Sequence, residues 1–84
     1  MMLRVEKDTL FVNLPEGKNQ EELVSLCKTE IATIERSLYG KEVKINGRIT
    51  TGMALFLGHK LAHICKSVSI FDPKENQYIR AVWH

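Results

Sequence analysis

Three short stretches of the chain carry side chains suited to chemistry. His59 and His63 stand four residues apart in "FLGHKLAH", Asp72 and Lys74 flank a proline in "FDPK", and "NGRITT" sets Gly47 and Arg48 just ahead of Thr50 and Thr51. Imidazoles four apart on a helix share one face, where they can hold a metal ion together or exchange protons near neutral pH. A carboxylate that closes an apolar strand can bind metal or orient a nucleophile, and a lysine beside it attracts phosphate. At "NGRITT" the glycine allows close approach of a ligand to the backbone, the arginine offers a fork of donors, and the first N–H groups of a following helix point outward. Those three features suit phosphate oxygens.

Each group also has a plainer use. An H-x-x-x-H pair can be the polar end of a helix, whose dipole favours a protonated imidazole there. Lys60 fills the place where H-E-x-x-H needs its glutamate, which excludes a zinc-protease helix. Asp72 before Pro73 can open an Asx turn. The spacing of "NGRITT" is that of neither a P-loop nor a dinucleotide fingerprint, and it also fits a tight strand-to-helix turn. Tyr78 and Trp83 could stack on adenine or pack into the core from alternate sides of a last strand.

The elements that must position these groups follow from periodicity. "LRVEK" and "LFVNL" alternate around Lys7, Asp8 and Thr9, so a β-hairpin is expected over residues 2 to 14. Asn19 with Glu22 resembles a capping box, and Leu23, Leu26, Cys27, Ile31, Ile34 and Leu38 recur at helical spacing up to Gly40. "EVKIN" alternates as a half-buried strand, with Val43 and Ile45 on one face. A second helix, capped by Thr50 or Thr51, is expected to reach about Cys65. Its small residues Ala54, Gly58, Ala62 and Cys65 form a stripe that permits another backbone to approach closely, whether the domain's own sheet or a partner helix. "SVSIFD" and "QYIRAVWH" are the remaining strands.

The order ββαβαββ makes an α/β fold: one small domain over residues 1 to 84, with a mixed sheet containing one right-handed βαβ unit at 42 to 72. In such a unit the loops after the strands share an edge, which would join Gly47, Arg48, Thr50 and Thr51 to Asp72 and Lys74. His63 would lie at the far end of a helix of about 15 residues, roughly 20 Å from that edge.

Composition limits the classes open to this chain. Of 84 residues, 44% are hydrophobic and 26% charged, which describes a folded domain and not a disordered segment. A domain of this size buries only roughly 60% of its unfolded surface, so association into a dimer or larger oligomer is expected. Residues 41 to 84 hold seven Lys/Arg, three Asp/Glu and all three histidines, making the second half the anion-attracting one. That excess suits a nucleotide or RNA and is too small to coat duplex DNA. No apolar run is long enough to span a membrane, no signal-peptide pattern is present, and the two cysteines form no C-x-x-C pair. A cytoplasmic location with reduced thiols is therefore expected.

"INGR", "FLGHKLAH" and "SIFDPK" together resemble the Csx-three family of CRISPR-associated ring nucleases. In that family a strand leads into I-x-G-R, a helix carries F-L-x-H-K with further histidines, and an apolar strand ends in D-P-R. The likeness covers Lys44 to His84, about half the chain. It implies binding and cleavage of cyclic oligoadenylate, chiefly cyclic tetra-adenylate, the second messenger of type III CRISPR defence. It also implies a divalent metal, manganese in particular, and trimming of adenylate from an RNA 3′ end. Asp72 matches the family's catalytic aspartate and Lys74 stands in place of its catalytic arginine. The family's catalytic histidine falls three residues after the F-L-x-H histidine, a place held here by Ala62, with His63 next to it. The implied roles are acid or base for His63, metal binding for Asp72 with His59, and phosphate binding for Lys74, Arg48 and the Gly47 to Thr51 turn. The family sandwiches the ring between stacked dimers, which implies a homodimer stacked into a tetramer. A non-catalytic module that binds cyclic oligoadenylate or RNA is the other function these residues fit.

Overall fold

The computed structural model describes residues 1–83; His84, expected at the end of the last strand, lies outside the described residues. Strands β1 (Leu3–Glu6) and β2 (Thr9–Val12) form the expected hairpin, turning at Lys7 with φ 57°. Helix α1 (Gln20–Ile34) follows, then β3 (Glu42–Gly47), α2 (Thr51–Ala62), β4 (Ser67–Asp72) and β5 (Gln77–Trp83). The fold is α/β in the predicted ββαβαββ order, built on one five-stranded mixed sheet.

The strands lie in chain order across the sheet, antiparallel at both margins and parallel in the middle. The parallel pairing of β2 with β3, which sets Leu10 beside Ile45, makes β2–α1–β3 a second crossover unit where the sequence led us to expect one. Alternation marks β2 as a strand but does not say which strand it joins, and that pairing spans more than 30 residues. Helices α1 and α2 pack against each other, so both crossovers lie on one face of the sheet. Leu3, Leu10, Val12, Val43, Ile45 and Val68 meet the buried sides of the helices, Leu23, Cys27 and Ile31 from α1 and Met53, Leu57 and Leu61 from α2.

Both ends of α1 have local causes. Asn19 accepts from the Glu22 N–H at 2.8 Å while the Glu22 carboxylate accepts from the Asn19 N–H at 3.1 Å, a complete capping box. The helix stops at Ile34, short of Gly40, and tightens into a 3-10 turn over Glu35–Leu38 that leaves Leu38 fully buried. Three-residue spacing serves either pitch, so periodicity did not distinguish them. Helix α2 likewise ends at Ala62, short of Cys65, because His63 and Ile64 donate to carbonyls three residues back.

The small-residue stripe of α2 splits in the fold. Cys65 belongs to the core, whereas Ala54 and Gly58 line a shallow apolar groove of about 140 Å3 with Ile49, Ile70, Ala81 and Val82. The tight approach lies instead at Gly52, where a Cβ would stand 2.7 Å from Gln20 Oε1 of α1. No helix among the described residues is long and apolar enough to cross a membrane.

Candidate functional site

Because β2, β3 and β4 are parallel, their carboxyl ends share an edge, and the connections that follow them, residues 13–19, 48–50 and 73–76, open onto it. Gly47, Arg48, Thr50, Thr51, Asp72 and Lys74 therefore belong to one edge, as the crossover argument requires. Their local uses are more structural than the sequence implied. Gly47 has φ 115°, and a Cβ there would lie 2.2 Å from the Val12 carbonyl oxygen, so the close backbone approach it permits is to β2.

The N-terminus of α2 is also partly occupied. The Thr50 hydroxyl accepts from the Met53 N–H at 3.3 Å, and the Gly52 N–H donates to Gln20 Oε1 at 2.9 Å. Two of the amides expected to face a phosphate are thus spent within the chain. Arg48 is exposed, and its guanidinium has no hydrogen bond or ion pair among the described residues. It is the group on this turn best placed to meet an anion.

Asp72 is half-buried, and its Oδ1 accepts from the N–H groups of Lys74 at 3.0 Å and Glu75 at 3.4 Å. This is the Asx turn expected before Pro73. The carboxylate's second oxygen has no hydrogen bond among the described residues, and the exposed Lys74 ammonium sits in the same turn. A carboxylate anchored by two amides beside an exposed cation can orient a hydroxyl on an incoming ligand.

The histidines stand at the other end of the molecule. Helix α2 returns antiparallel to β3 and β4, and its twelve residues span about 18 Å. His59 lies in its last turn and His63 at its C-cap, both exposed, with ring centroids 4.8 Å apart in an edge-to-face arrangement. Lys60, between them, is held by Glu35 at 3.0 Å and so ties α2 to the 3-10 turn. His63 and Asp72 are consequently not brought together within one chain, and neither are His59 and Asp72. Among the described residues no group of three or more His, Cys, Asp or Glu stands close enough to hold a metal ion. The manganese site implied by the resemblance does not fit a single chain.

Both cysteines are buried free thiols. Burial pushes the Cys27 thiol up to about 11, helped by the nearby Glu30 charge, and burial alone does the same at Cys65. Both stay protonated at neutral pH and are poor nucleophiles.

One group of residues escaped the sequence. On the sheet face away from the helices, strand register sets Arg4 beside Phe11, Phe11 beside Asn46, and Phe71 beside Tyr78. The Ile45–Ile70 pairing carries the row from Asn46 to Phe71. Arg4 stands 4.6 Å from the Phe11 ring centroid, Asn46 Nδ2 donates to the Tyr78 hydroxyl at 2.8 Å, and the Phe71 and Tyr78 rings meet edge to face at 5.3 Å. Tyr78 is thus on the open face and outside the core, while Trp83 is 64% exposed. Phe11 and Asn46 alternate with the buried Leu10, Val12 and Ile45, and that parity was the signal available in the sequence.

Compared with known proteins, the chain matches no protein-family model, no curated protein and no solved structure.

Proposed function

We propose that this chain binds a cyclic oligoadenylate, cyclic tetra-adenylate first among them, and cleaves it at a site assembled from two copies. The observation that carries this reading is the separation of complementary chemistry along β3–α2–β4. Groups that hold phosphate and orient a hydroxyl lie at the carboxyl edge, and imidazoles able to move protons lie at the opposite end. Stacking copies end to end sets one copy's His63 over the next copy's Asp72. That is the homodimer stacked into a tetramer implied by the resemblance to ring nucleases.

The reaction suited to these groups is transesterification. A ribose 2′-hydroxyl attacks the adjacent phosphorus and the bond to the 5′ oxygen breaks, leaving a linear adenylate with a 2′,3′-cyclic phosphate. Asp72 orients the attacking hydroxyl, Arg48 and Lys74 bind the phosphate oxygens, and His63 transfers the proton. The commitment of Asp72 Oδ1 to its turn, together with Ala62 in the place of the family's catalytic histidine, favours a second reading. In it the chain is a module that binds the ring, or an RNA 3′ end, without cleaving it.

Incubation with cyclic tetra-adenylate, with and without manganese, followed by chromatography separates these readings. Linear products identify a nuclease, and intact ring co-eluting with protein identifies a binding module. Free intact ring in every condition overturns both. Arg48→Ala is expected to weaken ring binding by about 1.5–3 kcal/mol, the range for a hydrogen bond to a charged group. Unchanged affinity in a folded variant removes the carboxyl edge from the reading.

A further inference from the structure

Between the open face of the sheet and its carboxyl edge lies a cleft of about 420 Å3, lined by Arg4, Phe11, Asn13, Asn46 and Gly47 with the two N-terminal methionines. We propose that this cleft is a seat for one adenine base, with Phe11 and Arg4 as the stacking platform and Asn46 as the group that reads the base edge. The proposal deepens the adenylate reading above and rests on it for the identity of the ligand, but it concerns residues to which that reading gave no role.

Its parts already touch one another in the free chain. Arg4 and Phe11 are direct cross-strand neighbours, and the guanidinium is held both by the ring and by an ion pair with Glu6. An aromatic ring and a guanidinium plane are the two surfaces on which unstacked bases are commonly laid. Asn46 lies on the strand next to Phe11. Its amide has two N–H groups and a carbonyl oxygen; one N–H goes to the Tyr78 hydroxyl, which sets the direction of the amide. The other N–H and Oδ1 remain, and these are the donor and acceptor that pair with N7 and the N6 amino group of adenine.

Uracil has no N6/N7 edge and can meet the amide only through N3–H and a flanking carbonyl, and its single ring overlaps Phe11 less than a purine does, so the cleft should favour adenine. Gly47 ends the strand that carries Asn46 and leads directly to Arg48. A base in the cleft therefore has its phosphate directed toward the exposed guanidinium at the carboxyl edge.

AMP, linear tetra-adenylate RNA and linear tetra-uridylate RNA are the probes, each titrated into the full chain and followed by amide chemical shifts. AMP is expected to move the amides of Phe11, Asn13, Asn46 and Gly47, and the tetra-adenylate to bind more tightly than the tetra-uridylate. Phe11→Leu, which keeps an apolar side chain but removes the ring, should weaken tetra-adenylate binding about 10-fold. Asn46→Ala should reduce the preference for adenylate over uridylate, leaving the part that stacking on Phe11 supplies. Spectra of the free variants establish that each is folded, and the wild-type shift map tests the cleft even if one is not.

Shifts confined to Arg48, Thr51 and Asp72, or folded variants that bind like the wild type, overturn the cleft while leaving ring binding at the carboxyl edge intact. AMP shifts in the cleft of a protein that does not retain cyclic tetra-adenylate sustain the cleft and sink the ring reading instead. No shift with AMP or tetra-adenylate overturns the proposal outright.

Discussion

Glycine at position 47 answers to a neighbour 35 residues away. With φ 115° and the Val12 carbonyl oxygen 2.2 Å from where a Cβ would stand, any side chain is strained by its own backbone and blocked by β2. Gly47→Ala should cost about 1–3 kcal/mol for the backbone conformation alone, with the collision added. A denaturant titration measures the loss, and an unchanged midpoint would show that the β2–β3 contact can relax. Asp72 teaches the converse lesson. Its Asx turn was legible from "DPK" because the interaction is local, and the turn uses one carboxylate oxygen while the other makes no hydrogen bond among the described residues.

Among the elements, β1 depends on a helix that follows it in the chain. The Glu30 carboxylate, projecting from α1, accepts from the Leu3 N–H at 2.8 Å and the Met2 N–H at 3.2 Å, closing the outer end of the edge strand. A short hairpin alone is marginal in water. Glu30→Ala should therefore destabilise the protein by about 1–3 kcal/mol and selectively speed hydrogen exchange at Met2 and Leu3. Uniform exchange across the sheet would indicate that the carboxylate does not pin β1. The cap of α1 was legible in advance as Asn19 with Glu22, and that of α2 was narrowed to Thr50 or Thr51, of which the fold uses Thr50, because such bonds are three residues long. The early end of α1 was not. Whether Leu38 reaches the core by α or 3-10 pitch depends on what it packs against.

At the scale of the whole molecule, an antiparallel helix between two parallel strands keeps His63 and Asp72 at opposite ends. Only a second copy can then complete a site that uses both. His63→Ala and Asp72→Ala proteins should each be inactive on cyclic tetra-adenylate, and mixing them should restore part of the activity, because some mixed assemblies contain one intact pair. Product formation in the mixture measures this. Failure of recovery, with subunit exchange demonstrated and the parent protein active, would place catalysis within one copy. The oligomer itself is checked by sedimentation of the parent protein, where a monomer would remove the basis of the composite site.

The sequence by itself determined the element order, the hairpin, the capping of the first helix and the buried side of β3. Those features arise from interactions between residues one to four apart, and alternation or helical spacing records them directly. It also determined that Arg48 and Asp72 share an edge, because a crossover between parallel strands leaves few alternatives. Only the tertiary structure decided that β2 joins β3 in parallel, that Gly47 serves Val12, and that Arg4, Phe11, Asn46, Phe71 and Tyr78 line up across the five strands. Each of these depends on which strand lies beside which and in what register. That choice is made by the packing of side chains distant in sequence, and no local pattern encodes it.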